Sequence, residues 1–484
     1  MSLTIRVFVI FVTLASTLQV VVAQQSGIRV ITRDGKPIAG PALRYGASFM
    51  KREATTVGIE QLSFDRLYDE IMIGFVTGQH FADVLLIPSA WLPDFAPYLD
   101  AVPDDLIASE VVGDIHPTYR DALMRWQNQW MALTIDGDLQ MGIYRRDLFQ
   151  DPDNRLAYRE RYGRDLEPPE TWVHYHQIAE FFNGRFDNQG KRITGTLESY
   201  AKGGQRLWYL FSHAAAYANH PDYPGGMFFD PQSMKPSITS PAWKRALREY
   251  LDLSEIIGSD TASLDSHQVR SRFSRGEAAM AIDWTDIGVL AAGQESSVAP
   301  EDIGFFILPG SQQVWNPETA GWDWLEAPRN VPFLAFGGWI GAVAKTSSSP
   351  QKAWSYLAWF ASPEHSIRDV TDGTSGINPY RLSHLENDLP WHELMGKPLA
   401  DEYLSVLRQS LLSPSTIPDL RIPGYRAYMA ALDEQIERIV QNEISIDVAL
   451  KNASVHWEQI TDRLGRNSQR THYRAAMGLP GIAP

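Results

Sequence analysis

The sequence predicts an α/β fold arranged as two lobes, and three observations predict it. Strand-like and helix-like segments alternate between residues 28 and 87, a helix-rich stretch follows over 151–270, and short apolar strands return between 278 and 344. Alternation of this kind builds a mostly parallel sheet covered by helices. A helical interruption followed by further strands is the order expected when a chain crosses between two lobes more than once.

The early elements follow from local pattern. "GIRVIT" reads as a strand, "PALRYGASFMKRE" as a helix and "TTVGIEQLSF" as a second strand. "DRLYDEIMIGFVTG" has helical spacing with Gly78 placed to end it, and "ADVLLI" is a short buried run. Later, "TSPAWKRALREYLDLSEIIG" predicts a helix with Ser240 as N-cap, Pro241 in its first turn and Gly258 just past its end. "EAAMAI", "DIGFFILPG" and "GGWIGAVA" read as strands, and "SSSPQKAWSYLAWFASPE" as a helix opened by Ser349 and Pro350. The remaining third is helical, without an internal repeat.

Composition narrows the function. At 484 residues the chain has room for two or more cores. Its net charge of −15 disfavours nucleic acid and anionic membrane as partners. Cysteine is absent, which excludes disulfides, thiol catalysis, Cys-type zinc sites and a lipidated cysteine. At the N-terminus, Arg6 precedes a mostly apolar run to Val22, and Val21-Val22-Ala23 fits the small-x-small rule for cleavage. Residues 1–23 therefore read as a signal peptide, and the run is short for a membrane span of ~20 residues. A soluble, exported protein is expected, retained in a periplasm.

Catalytic patterns are mostly missing. There is no Gly-x-Ser-x-Gly elbow, no His-Glu-x-x-His and no Walker loop; "AKGGQR" lacks phosphate-loop spacing, and His174 and His176 point to different faces of a helix. No metal or cofactor is expected. The fifteen tryptophans are more telling, because several stand beside strand ends. Trp91 follows "LLIPS", Trp284 follows "MAID" and Trp339 follows "AFGG". A flat ring beside a carboxylate suits a sugar or polyol, whose C–H face stacks while its hydroxyls donate to Asp. Asp283 stands next to Trp284, and "LTIDGDLQMGIY" places Asp136-Gly137-Asp138 between two strands, where Gly137 permits close backbone approach. An Asp-Gly hairpin turn is the plainer alternative there.

These segments resemble, in type and order, the extracellular solute-binding proteins of bacterial ABC importers, in the cluster that serves sugars, oligosaccharides and polyols. "FVTGQHFADVLLIPSAWLPDFAPYLDAVP", "WQNQWMALTIDGDLQMGIYRRDLFQ", "PPETWVHYHQIAE", "FSRGEAAMAIDW", "IGFFILPG", "GGWIGAVAKTSSSPQKAWSYLAWFASPE" and "GINPYRLS" carry the resemblance, over about residues 45–380. Departures include Ala82 for a usual proline, Tyr144-Arg145-Arg146 for Tyr-Asn-Lys, and Thr134 at the usual crossover proline. The resemblance implies a type II periplasmic-binding-protein fold, α/β, with a ligand cleft between lobes joined by a multi-crossing hinge. Lobe 1 is expected to hold 24–134 with 286–336, and lobe 2 to hold 137–282 with 340–484. Crossings are expected near Leu133–Asp138, Ile282–Asp286 and Phe336–Trp339.

The expected ligand site follows. Trp91, Trp284 and Trp339 wall the ligand; Asp136, Asp138 and Asp283 accept its hydroxyls; Gly337 and Gly338 allow backbone approach. Trp208, Tyr380 and Arg381 join from neighbouring motifs, and Arg381 or Arg421 would admit an acidic group. The implied function is substrate capture for an ABC permease by a monomer doing no covalent chemistry. Two alternatives stay open: an exported carbohydrate-active hydrolase using Asp136 and Asp283, and a periplasmic sensor subunit of the same fold.

Overall fold

The computed structural model describes residues 27–203, 205–258 and 261–480, so the expected leader over 1–23 lies outside the described residues. Two separate sheets organise the chain. In the first, Ile28–Arg33 lies between Val57–Leu62 and Val84–Pro88, parallel to both. Trp339–Val343 adds antiparallel to Val84–Pro88, with Ile340 opposite Ile87, and Leu133–Thr134 closes that edge. Val84–Pro88 is buried along its length, as a strand covered on both faces must be. Val57–Leu62 alternates half-buried with exposed residues, the pattern of an edge strand.

The second sheet has three strands, with Gln140–Arg145 between Met280–Trp284 and Ile303–Phe306, antiparallel to each. Gly142 sits in the central strand for a steric reason. A Cβ there would stand 2.0 Å from the Phe306 ring, so only glycine lets that ring cross the strand.

The helices behave as their end signals predict. Phe64–Thr77 stops at Gly78, whose φ of 66° is the left-handed cap conformation. Pro241–Ile257 starts at Ser240, whose hydroxyl accepts from the Trp243 amide, and ends before Gly258. Pro350–Phe360 begins where expected, with the Ser349 carbonyl accepting from Ala353 at 3.0 Å. Among the described residues no helix is long and apolar enough to cross a membrane.

Strand pairing corrects the expected division of the later segments. Residues 286–336 are expected in lobe 1, yet Ile303–Phe306 pairs with Gln140–Arg145 of the second sheet. Residues 340–484 are expected in lobe 2, yet Trp339–Val343 lies in the first sheet, where Pro350–Phe360 packs on it and on the helix Ala39–Glu53. The crossing expected at Ile282–Asp286 is absent for the same reason. The chain leaves Trp284, forms the helix Asp286–Ala292 and returns to its own sheet at Ile303. Residues 135–139 connect the sheets directly, 335–338 lead into Trp339 from Phe333–Leu334, which pairs with Ile417–Pro418 outside both sheets, and 376–380 runs beside 135–139.

The connections are packed on one another. Phe336, Gly337 and Gly338 have φ of 70°, 71° and 93°, three successive residues in the left-handed region. Gly338 lies so close to the first connection that a Cβ would stand 2.1 Å from the Asp136 carbonyl oxygen. Gly338→Ala is therefore expected to lose about 1–3 kcal/mol from backbone conformation alone, before the clash is counted. Urea denaturation of parent and variant measures this; equal midpoints would show that the connections do not need the glycine.

Candidate functional site

A cavity of about 380 Å³ opens between the two sheets. Arg33 enters it from the end of the first strand, and Phe64 and Asp65 from the start of the helix that follows the second. Trp339 begins an antiparallel strand and so reaches the same edge. From the other side come Trp284 at its strand end, Trp208 on the helix Gln205–Ala218, and Ser266 and Arg270 on the helix Ser266–Ser274. Asp138, Phe336 and Asn378 supply the floor from the connecting segments. Ligands of open α/β sheets sit at strand ends of this kind.

The aromatic wall is held by its own contacts. The Trp208 ring meets Phe336 edge-on at 4.4 Å and Trp284 at 6.2 Å, and Phe64 lies 6.2 Å from Trp339. Indole N–H groups need acceptors when buried. Trp284 Nε1 donates to the Ala335 carbonyl at 3.2 Å, and Trp208 Nε1 donates to Asp419 Oδ2 at 2.7 Å. With their polar tips satisfied within the protein, these two rings offer the cavity apolar faces.

The polar floor is a network around Asn378 and Arg270. The Asn378 amide N–H donates to Asp136 Oδ1 at 2.6 Å, and its side-chain Nδ2 donates to Asp136 Oδ1 at 3.2 Å and Asp138 Oδ1 at 2.9 Å. Its Oδ1 accepts from Thr285 Oγ1 and from the Asp286 amide, both at 2.8 Å. Arg270 donates to Asp283 at 3.1 and 3.3 Å and to Asp286 at 2.6 Å. Asp286 Oδ1 is buried without a partner. Burial raises all four carboxyls. Asp136 and Asp286 are each pushed up to about 7, the latter against the pull of Arg270. Asp138 is raised by burial first, then by the charges of Asp136 and Asp286, and Asp283 is raised by burial against the pull of Arg270.

Of the expected residues, Trp208, Trp284, Trp339 and Asp138 line this cavity, and Trp91 lines an adjoining chamber of about 210 Å³. The others are corrected. Asp283 is fully buried behind the wall, accepting from Ser266 Oγ, Arg270 and the Trp284 amide, so it positions cavity residues from outside. Asp136 is equally sealed and faces Asn378. Gly137 packs under Tyr380, where a Cβ would stand 2.7 Å from the Tyr380 Cβ; Gly338 packs on the first connecting segment, and Gly337 on Ser89, where a Cβ would stand 2.5 Å from its Oγ. Tyr380 is buried against His384. The Arg381 guanidinium donates to the carbonyls of Val111 and Ala361 and to Asp114. Arg421 donates to the carbonyls of Ser89, Ala122, Leu123 and Arg125, and burial lowers its pKa to about 10.

Sequence reasoning missed Arg33, Phe64, Arg270, Asp286, Phe336 and Asn378. Arg33 is visible as the charged residue ending the first strand, and Asp286 stands two residues beyond Trp284. Asn378 lies inside "GINPYRLS", close to the Tyr380 and Arg381 that were expected in its place. Nothing in the sequence marks Arg270.

The Asp136 carboxyl yields a prediction with a definite sign. A carboxyl raised from 3.8 to about 7 takes up a proton as the chain folds, so its folded state is weakened as pH climbs through that window. Asp136→Asn keeps the acceptor for Asn378 and mimics the protonated acid. Its stability relative to the parent should therefore grow between pH 4 and 7 and level off above. Urea unfolding at pH 5 and pH 8 compares the two, and a difference that does not grow with pH rules the assignment out.

The sequence matches the family described as bacterial extracellular solute-binding protein over residues 30–366. No curated protein sequence matches it. Solved structures share the fold at low identity. The maltose-bound MalE3 of T. maritima aligns with a TM-score of 0.69 at 19% identity, covering 90% of this chain and 99% of that one. An ABC transporter solute-binding protein from Agrobacterium vitis S4 with bound D-mannitol aligns at 0.68 and 20%, covering 91% and 99%. One from Agrobacterium radiobacter K84 in complex with ribitol aligns at 0.69 and 17%, covering 90% and 99%. With two sheets facing one another across an aromatic cavity and a family match over most of its length, this chain belongs to the bacterial extracellular solute-binding proteins.

Proposed function

We propose that this protein captures a polyhydroxylated ligand, a sugar, an oligosaccharide or a polyol, and delivers it to the permease of an ABC importer. The observation that carries the proposal is the cavity between the sheets. Flat aromatic faces from both sides meet there with the polar side chains of Arg33, Asp138 and Asp286. The Arg33 guanidinium donates to the Asp34 carbonyl at 3.3 Å and makes no hydrogen bond to another side chain among the described residues. A hydroxylated ring satisfies both kinds of surface at once. The solved relatives named with maltose, mannitol and ribitol bind ligands of this class.

The ligand would be held by groups from both lobes, so binding favours a closed arrangement of the sheets about residues 135–139 and 335–338. The protein would act as a monomer in the periplasm after loss of residues 1–23, needing no cofactor. Capture without turnover is the reading preferred over hydrolysis, because Asp136 and Asp283, the acids a hydrolase would have used, are both sealed from the cavity. The sensor alternative shares the binding step and differs in its partner. Gene neighbours encoding two permeases and an ATPase would favour import.

Calorimetry and thermal shift against a panel of sugars and polyols test the proposal. One ligand should bind saturably near the micromolar range, about −8 kcal/mol, without chemical change. Arg33→Ala should weaken that binding at least tenfold while leaving the unfolding midpoint in place, since the guanidinium has no side-chain hydrogen bond to lose. Silence across the panel, or turnover of an aryl glycoside, would remove the reading.

A further inference from the structure

We infer that the ligand is an amphiphilic glycoside, with its hydroxylated head in the larger chamber and an aryl or alkyl aglycone in the smaller. The inference rests on the proposed sugar-binding role and goes on to name the ligand's second half. The two chambers adjoin, sharing Phe64, Trp208 and Phe336 as a common wall. A single ligand can therefore occupy both.

Their chemistry differs. Beyond the shared rings, the smaller chamber is lined by Trp91, Leu207 and Met429. Phe64 stacks on Trp91 at 5.5 Å, which fixes one apolar wall. The polar groups at its edge are almost all committed to the protein. Tyr425 donates its hydroxyl to Asp419 at 2.8 Å, and that hydroxyl also accepts from Trp208. Asp433 accepts from Arg206 and from the Gly203 amide. Arg426 donates to Asp69 at 2.6 Å and to the Asp65 carbonyl at 2.9 Å. Asp65 alone keeps a carboxylate at the border between the chambers. A second sugar placed here would bury hydroxyls with few partners, a costly arrangement. An aryl ring or short alkyl chain needs none, and a volume of about 210 Å³ accommodates it.

Tyr425, Arg426, Met429, Ala430 and Asp433 all come from the helix Tyr425–Val440, beyond residue 366 where the family match ends.

Isothermal titration of the purified protein with matched probes tests the inference: methyl and phenyl β-D-glucopyranoside, the same pair of galactopyranosides, and the disaccharides cellobiose and maltose. For the head group that binds, the phenyl glycoside should bind at least tenfold tighter than the methyl one, with a more negative heat-capacity change. Ala430→Trp, a substitution at an exposed position on the chamber's rim, should abolish that gain while leaving methyl-glycoside affinity and the unfolding midpoint unchanged. Met429→Gln, which keeps side-chain length and adds polarity, should also reduce the phenyl gain, at some cost to the unfolding midpoint because Met429 is buried. Equal affinity for methyl and phenyl probes, or a disaccharide gaining as much as the phenyl group, overturns the inference and leaves the proposed function standing. Failure of every one of these probes to bind overturns the inference, and the proposed function falls with it only if the wider panel of sugars and polyols is silent as well.

Discussion

The side chain and amide of Asn378 tie the first connecting segment to the start of the helix behind Trp284, and the site depends on that arrangement. One residue donates to Asp136 and Asp138 and accepts from Thr285 and Asp286. Its partners come from the first connection between the sheets and from the start of the helix behind Trp284. Because a buried amide with all its groups paired has one orientation, the two aspartates and the helix start are set relative to each other. Trp284, directly before Thr285, inherits its position from that link.

Charge compensation follows a related logic. Four buried carboxyls, Asp136, Asp138, Asp283 and Asp286, share one fully paired cation, Arg270. So many unneutralised charges would be costly in a poorly solvated floor, and burial pushes all four carboxyls upward, toward the neutral form. A ligand donating hydroxyls toward Asp138 and Asp286, as proposed, would meet acceptors whose charge is already partly balanced, and Arg33, on the opposite sheet, would supply the complementary donor.

Much of the fold is legible in the sequence, and the reasons for the errors are specific. Local signals such as Gly78 and Ser240 act within a few residues, and they mark the helix ends they predict. The assignment of Ile303–Phe306 and Trp339–Val343 to the wrong lobes arises because both are short apolar runs whose partners lie far away in sequence. Nothing in such a run states which sheet it joins. The site is legible as a neighbourhood more than as a set of residues. Trp284 faces the cavity and Asp283 is sealed behind it, because neighbours in a strand point to opposite faces. That alternation is present in the sequence of "MAIDW" and is enough to separate the pair. Arg381 and Arg421 show a different limit: a buried arginine holding backbone carbonyls and one facing a cavity have the same letter.

The segment from Ile417 to Arg426 has a mechanical consequence. Within ten residues it pairs with Phe333–Leu334, accepts the Trp208 indole through Asp419, and grips the first lobe through Arg421, Gly424 and Arg426. It is a strap fastened on both sides of the cavity, in addition to the connections beneath it. Separating the sheets would stretch this strap and displace the Trp208 side of the smaller chamber from its Trp91 side. The angle between the lobes and the length of ligand that fits would then be a single variable, and a longer occupant would select a wider closed state.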